Sequence, residues 1–223
     1  MSPSLTALVI FIISYLLFIF LPKKRTQVAV LGAILLIITR TISLKDAFFT
    51  AINWNVMGIF VGTLVVANIF MESRVPAYLA EVIVDRAKNT CWAILLICAL
   101  TGFISAFVEN VATVLIVAPI ALELAKKLKI NPVNMMIGIA ISSNLQGTAT
   151  LIGDPPSMLL GGFAKMNFMD FFFYKGRPSI FFAVELGALA SFFVLRFIFK
   201  KHKEKMQLVA IEKVKSWVPT IIL

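Results

Sequence analysis

The sequence predicts an all-α integral membrane protein with about five transmembrane helices and one re-entrant helical hairpin. Three observations support this fold class. The 223 residues are 60% hydrophobic and 14% charged, whereas soluble domains are about 45–50% apolar and about 25% charged. Several apolar runs approach the roughly 20 residues that a helix needs to cross a bilayer. Two polar stretches, residues 109–113 and 142–157, interrupt such runs.

The first three predicted spans cover residues 3–21, 27–42 and 53–71. The first resembles a signal peptide in length. However, no positively charged segment precedes it, and the sequence PKKR follows it where a small-residue cleavage site would stand. We therefore predict a retained helix. The second span is short and is predicted to end near Arg40.

Residues 72–89 predict an amphipathic helix. Charged side chains alternate there with apolar ones that recur at spacings of three and four residues, which is the pattern of a helix with one apolar face. Two interpretations are equally supported. The helix lies along the membrane interface, or it is a cytoplasmic helix packed on the rest of the protein.

Residues 92–125 predict a re-entrant hairpin with a polar break at 107–113. Each arm has about 15 apolar residues or fewer, or roughly 22 Å of helix, which is short of a hydrocarbon core of about 30 Å. Basic residues flank both ends of the segment, so both ends are expected on the same side of the membrane. The alternative is one tilted span followed by a poor one.

The remaining predicted elements follow in order. Residues 133–165 form a crossing helix that is broken in its middle by the polar stretch SSNLQGTATLIGDPPS at 142–157, and residues 178–199 form the last full span. Residues 200–216 are a basic cytoplasmic linker, and residues 217–223 are the start of a further span that is cut off.

The distribution of basic residues predicts the orientation. With the loop at 23–25 on the cytoplasmic side, 16 of the 21 Lys and Arg residues fall on cytoplasmic segments and 5 on external ones. Cytoplasmic loops of membrane proteins carry this excess. We therefore predict a multi-pass protein of the cell membrane with its N-terminus outside, its hairpin entering from the cytoplasm and its C-terminus inside. The imbalance argues against a dual-topology dimer.

Three acids lie inside predicted membrane segments: Glu109, Asp154 and Glu185. A charge at membrane depth costs a few kcal/mol on insertion scales, so such residues are functional candidates by default. The alternative is a structural acid that caps a half-helix or pairs with a basic side chain. Glu185 is only about two turns into its span and could reach the interface, which makes it the weakest of the three candidates.

The two breaks carry the groups that bind small ions. A half-helix N-terminus presents N–H groups to anions, and an unwound C-terminal end presents carbonyl oxygens to cations. Candidate side-chain oxygens for a Na⁺ site belong to Asn110, Thr113, Asn144 and Thr148, with Thr150 as a further ligand. Gly147 and Gly153 permit unusual backbone geometry, and the Pro155-Pro156 pair stops the first half-helix from resuming at once. Interrupted spans also occur for packing reasons alone.

Two motifs resemble those of the ion transporter superfamily, in its arsenite permease and NhaD-type Na⁺/H⁺ antiporter branch, which has a citrate-transporter-like domain and includes the melanosomal P protein. The first is SAFVENVATVL at 105–115, which resembles the hairpin-tip motif, and the second is SNLQGTATLIGDPP at 143–156. The topology is similar across roughly residues 3–200.

The resemblance implies two inverted repeats, each with a re-entrant hairpin and a broken helix, and an elevator-like movement of a carrier unit against a scaffold. This chain would be one half of such a transporter. Residues 1–71 would be scaffold, residues 72–89 the arm, and residues 90–199 the carrier unit. The implied site residues are Asn110, Thr113, Asn144, Gly147, Thr148 and Thr150, to which the intramembrane acids Glu109 and Asp154 are added.

The chain departs from the branch at three positions and in length. Glu109 stands where the branch usually has Asp, Ala112 where it has Thr, and Ser157 where it has Asn. The first change keeps the charge and the other two remove side-chain ligands, so the substrate is left open. The chain covers one repeat and stops as the second begins, so a partner chain supplies the other half or the product is truncated.

The sequence predicts two alternative functions. The first is secondary active transport of an inorganic or carboxylate anion, such as arsenite, or Na⁺/H⁺ exchange. The second is a non-transporting remnant or an assembly subunit of a membrane complex. No enzyme is predicted, because the single histidine, His202, lies in a basic run and no catalytic set is present.

The expected partners follow from these functions. They are the lipid bilayer, a small ion or anion, a second-repeat chain or domain, and a further copy of this chain. No nucleic acid is expected, because no basic patch is interleaved with exposed aromatic residues. No cofactor is expected beyond Na⁺ or H⁺ as a coupling ion.

Overall fold

The computed structural model describes residues 2–127 and 131–201, and these residues are nearly all helical. They divide into two compact units, one ending at Trp54 and one beginning at Asn55. The predicted linker at 200–216 and the predicted start of a span at 217–223 fall almost entirely outside the described residues.

The first unit contains α1 (Pro3–Phe20), α2 (Arg25–Ile38) and the short α3 (Leu44–Asp46), which continues into a π-helical turn at Ala47–Ala51. Ser2 caps α1 by accepting a hydrogen bond from Leu5 N. α1 and α2 pack closely because Gly32 lies against Ser14, where a Cβ would come within 2.9 Å of Ser14 Oγ. None of the residues of α1 is buried, as expected for a helix that faces lipid.

The second unit contains α4 (Trp54–Glu72) except for its first residue, and then α5 (Val75–Asp85), α6 (Thr90–Ser105), α7 (Asn110–Lys127), α8 (Val133–Gly147), α9 (Pro155–Ala164) and α10 (Ile180–Phe199). α6 is the central helix and packs against α5, α7, α8 and α10. Its fully buried Ile94, Leu95 and Ile97 share one core with Met135 and Ile139 of α8.

Two further elements of the second unit were not predicted from the sequence. A 3₁₀ turn at Phe168–Phe171 precedes a two-stranded hairpin, β1 (Phe173–Tyr174) and β2 (Arg177–Pro178). The two residues that connect these strands, Lys175 and Gly176, have φ angles of 49° and 76°. Positive φ at both central positions is the requirement of the tightest hairpin turns.

Three of the described helices are long and apolar enough to cross a membrane: α1, α4 and α10. Large apolar side chains are exposed on them and elsewhere, among them Phe103 and Phe163, whose exposed fractions are 68% and 75%. Exposed apolar surface on this scale marks contact with lipid or another chain. The count of five spans and the re-entrant hairpin remain predictions.

The arms of the hairpin are longer than predicted. α6 has 16 residues, and α7 has 18 and begins at Asn110, which gives α7 a length of about 27 Å. The helix starts early because Glu109 caps it: its side-chain Oε2 accepts from Ala112 N at 2.9 Å, and its backbone oxygen accepts from Thr113 N at 3.0 Å. Length alone therefore does not favour re-entry of α7 over a membrane crossing.

α5 packs on α6 and α7. Its buried face contains Val75, Ala80 and Val84, and the buried Glu81 lies on the same helix. The helix begins directly after Arg74, which has a left-handed backbone with φ of 60°. The amphipathic pattern is thus explained by packing on the protein. A position of this helix at the membrane interface stays a prediction.

Candidate functional site

The tip of the α6–α7 hairpin meets the break between α8 and α9. Asn110 Nδ2, in the first turn of α7, donates to Asn144 Oδ1, in the last turn of α8, at 2.7 Å. Thr150, inside the break, donates its hydroxyl proton to the backbone oxygen of Ala106 at the end of α6. The two polar interruptions of the sequence, more than 30 residues apart, therefore form one site.

A pair of buried serines joins the same two elements. Ser105 Oγ on α6 donates to the backbone oxygen of Ser143 on α8 at 2.9 Å. Ser143 Oγ lies 3.0 Å from both Ser105 Oγ and Asn110 O, and its single proton serves one of them at a time. Both side chains are completely buried, so these hydrogen bonds fix the hairpin against α8 without help from water.

Two carboxylates cap the two helices that begin at the site. Asp154 is the N-cap of α9, and its Oδ1 accepts from Ser157 N at 2.9 Å. It is only 4% exposed. Glu109 caps α7 in the same way through Ala112 N. Each acid thus lies at the positive end of a helix dipole, where a negative charge is stabilised by about 0.3–1 kcal/mol.

Gly153 lies close to the backbone at the C-terminal ends of α6 and α8. A Cβ at this position would lie 2.3 Å from Gly147 O, 2.9 Å from Ser105 O and 3.0 Å from Ala106 O. These three carbonyl oxygens belong to the C-terminal ends of α6 and α8. Carbonyl oxygens at helix C-terminal ends are the backbone groups that suit small cations in membrane transporters.

Gly147 lies among the polar side chains. A Cβ there would meet Ser105 Oγ at 3.5 Å, and Asn110 Cβ and Asp154 Cβ at 3.6 Å each. Asn110 and Asp154 therefore approach each other across a residue that has no side chain. The site contains the C-terminal ends of two helices, the N-terminal ends of two others, two amides and two carboxylates.

The predicted site residues fall into two groups. Asn110, Asn144, Gly147, Thr150 and Asp154 are brought together by the contacts above.

The other three predicted residues are Glu109, Thr113 and Thr148. Their side chains make hydrogen bonds to backbone groups a few residues away in the sequence. Thr113 Oγ1 donates to Glu109 O at 3.2 Å, and Thr148 Oγ1 donates to Leu145 O at 2.7 Å, while Glu109 caps its own helix. The Na⁺ site suggested for Asn110, Thr113, Asn144 and Thr148 stays a prediction. A hydroxyl that donates to a carbonyl keeps its oxygen lone pairs for a cation.

Within the part of the chain that the structure describes, acidic and sulfur ligands do not form a separate centre. Across residues 2–127 and 131–201, no group of three or more His, Cys, Asp or Glu side chains could hold a metal ion. The oxygens gathered at the break are instead mostly neutral amide, hydroxyl and carbonyl groups. That set suits a hard monovalent cation better than a transition metal.

Sequence reasoning missed Ser105 and Ser143 as residues that build the site. Both lie inside the motifs at 105–115 and 143–156, but serine is neither charged nor a residue that breaks helices. Small polar residues within apolar helices commonly join helices by hydrogen bonds, and this signal could have identified them. It also missed Gln146, which donates from Nε2 to Glu185 Oε1 at 3.0 Å.

Replacing Ser143 by Ala should lower the free energy of unfolding by about 0.5–1.5 kcal/mol. The change removes the hydroxyl that serves Ser105 and Asn110 while leaving the backbone acceptor in place. Denaturant titration of the purified chain in detergent, followed by circular dichroism, measures the loss. A Ser191→Ala chain, altered at a half-buried position on α10, is the matched control. Equal stabilities of the two variants would contradict this role for Ser143.

The fold and the site together define a class: a helical membrane protein in which a hairpin tip and a broken helix converge on buried polar groups. The sequence matches the Citrate transporter family over residues 15–223. The chain belongs to that family.

Individual relatives agree with the family. An uncharacterized transporter of Mycobacterium tuberculosis is 31% identical over 172 residues, which cover 75% of this chain and 40% of that protein. A 46 kDa membrane protein of Mycobacterium leprae is 30% identical over 190 residues, covering 83% and 44%. The human P protein is 27% identical over 194 residues, covering 85% and 23%. The chain thus spans less than half the length of each of these three relatives.

Proposed function

We propose that the chain is the substrate-binding half of a secondary active transporter for an inorganic or carboxylate anion, or of a Na⁺/H⁺ exchanger. One observation carries the proposal: Asn110 on the hairpin tip donates to Asn144 at the helix break, 2.7 Å away. Irregular backbone at membrane depth is tolerated only where protein or an aqueous cavity surrounds it. Discontinuous helices of this kind form the substrate and coupling-ion sites of secondary transporters.

The charges of the site favour a cation in this half. The helix N-termini of α7 and α9 could each attract an anion, but Glu109 and Asp154 already occupy them. The side chains that build the site include these two carboxylates and no basic group. We infer that a coupling cation, Na⁺ or H⁺, binds here and that an anionic substrate binds with it or next to it.

A second half is part of the proposal. More than half the length of the two mycobacterial relatives lies outside their match to this chain. Membrane transporters built from inverted repeats place their sites between the two repeats. A second chain or domain with its own hairpin and break would complete the site. The carrier unit would then move against residues 1–71 in an elevator-like cycle, without enzymatic turnover.

Transport is tested in vesicles that contain this chain together with the chain or domain that supplies the second half. We expect uptake of labelled arsenite or citrate to depend on a Na⁺ or H⁺ gradient, or ²²Na⁺ uptake to depend on a pH gradient. Vesicles with the second half alone are the control. The sequence of the downstream DNA supplies an independent check, since it should encode an inverted repeat with a polar-tipped hairpin.

Absence of flux under every gradient, with both chains folded in the vesicles, would contradict the transport proposal. Recovery of this chain in a stable complex that carries no flux would instead favour the assembly subunit.

A further inference from the structure

A pocket of about 960 Å³ lies beside the site, between α6, α8 and α10, and Phe172 and Pro178, which precede α10, also line it. Its volume is that of a site for a small organic molecule. Six phenylalanines contribute to its lining: Phe103, Phe107, Phe172, Phe181, Phe182 and Phe192. The proposed transport function makes no use of this pocket.

The aromatic residues are packed against one another. The ring centroids of Phe172 and Phe181 are 4.5 Å apart, those of Phe181 and Phe182 are 5.5 Å apart, and those of Phe103 and Phe107 are 5.7 Å apart. Rings held at these distances lose little freedom when a ligand arrives. Aromatic faces attract cations, and this attraction strengthens as the site is desolvated.

One charged side chain, Glu185, is present among the residues that line this pocket. Its Oε1 accepts from Gln146 Nε2 at 3.0 Å. The side chain of Gln146 packs directly on Gly102 of α6. A Cβ at Gly102 would come within 2.8 Å of Gln146 Cγ. A carboxylate has about four acceptor positions, and this hydrogen bond uses one of them. The remaining capacity is available for a cationic group in the pocket.

Charges on the neighbouring helices do not neutralise Glu185. α6 and α8 carry no charged residue, and the other charge on α10 is Arg196, eleven positions further along the helix. The guanidinium of Arg196 lies over the ring of Trp92, 5.3 Å from its centroid. Within the described helices around the pocket, Glu185 is therefore the dominant charge.

We propose that this pocket binds a lipophilic organic cation, such as a quaternary ammonium or phosphonium compound with apolar substituents. The apolar groups contact the phenylalanines, and the positive centre is attracted to the Glu185 carboxylate. In a medium of low dielectric constant this attraction is much stronger than in water. The same pocket repels an anion of equal shape, so it is distinct from a site for an anionic substrate.

The test measures binding of labelled tetraphenylphosphonium to the purified chain in detergent by equilibrium dialysis, with protein-free micelles subtracted. Saturable binding is expected. Tetraphenylborate, which has the same shape and the opposite charge, should show none. Glu185→Gln should weaken phosphonium binding at least about 10-fold, and Phe181→Leu should weaken it less. Glu72→Gln, the same change at an exposed position that ends α4, should leave binding unaltered.

Three results would overturn the proposal: no saturable phosphonium binding by the folded chain, equal binding of the borate, or unchanged binding by a folded Glu185→Gln chain. If the glutamine variant does not fold, Glu185→Asp keeps the charge and should bind within a few-fold of the original chain. The comparison of phosphonium with borate needs no variant. Because the assay measures binding and not flux, its outcome is independent of the transport proposal.

Discussion

Replacing Asp154 by Asn should reduce ion-driven flux to the level of protein-free vesicles while leaving membrane insertion and folding intact. Asp154 is buried and caps α9 through Ser157 N. Asparagine caps helices about as well as aspartate, so the local fold is retained. What the variant loses is a negative charge next to Asn110 and Gly147, where we place the coupling cation. Vesicle uptake under Na⁺ and pH gradients measures the effect.

Two companion variants separate charge from capping. Asp154→Ala removes both the charge and the helix cap. It should therefore also lower the free energy of unfolding, by about 1 kcal/mol. Asp170→Asn is the matched control, because Asp170 takes part in the capping box of the 3₁₀ turn before the β-hairpin and in none of the hydrogen bonds described at the break. It should transport normally. Normal, gradient-dependent flux by the Asp154→Asn chain would mean that this acid serves only the structure.

The long apolar helices could be predicted from the sequence because each is set by local composition. α1, α4 and α10 were predicted within two residues of their observed ends. The start of α7 was missed because the polar Glu109 and Asn110 were interpreted as part of a break. Glu109 instead completes the helix by capping it, and an acid followed by an apolar run is equally compatible with both interpretations.

The convergence of the two breaks depends on contacts that no local pattern encodes. Asn110 and Asn144 are 34 residues apart in the chain, and Thr150 and Ala106 are 44 apart. The sequence identified both polar stretches by their cost inside a membrane. It could not show which carbonyl oxygens would surround Gly153, because that depends on how closely α6 and α8 pack. The same is true of Glu185, whose neighbour Gln146 comes from another helix.

Gly153→Ala should destabilise the second unit by at least about 3 kcal/mol, at the upper end of the cost of overpacking. Its Cβ would come within 2.3 Å of Gly147 O and within 3.0 Å of two oxygens on α6. All three are backbone atoms at helix ends, so none can move aside as a flexible side chain would. We expect a lower midpoint of denaturant unfolding in detergent and a corresponding loss of transport.

Gly147→Ala is the matched comparison and should lose transport without losing stability. Its Cβ would meet Ser105, Asn110 and Asp154 at 3.5–3.6 Å, which is ordinary van der Waals contact, so we expect no loss of stability comparable to that of Gly153→Ala. The added methyl group nevertheless occupies the space between the amide of Asn110 and the carboxylate of Asp154. Flux should therefore fall in a chain that remains folded. If Gly147→Ala transports normally, the bound ion does not occupy the space between these two residues, and the site must be sought on another side of the break.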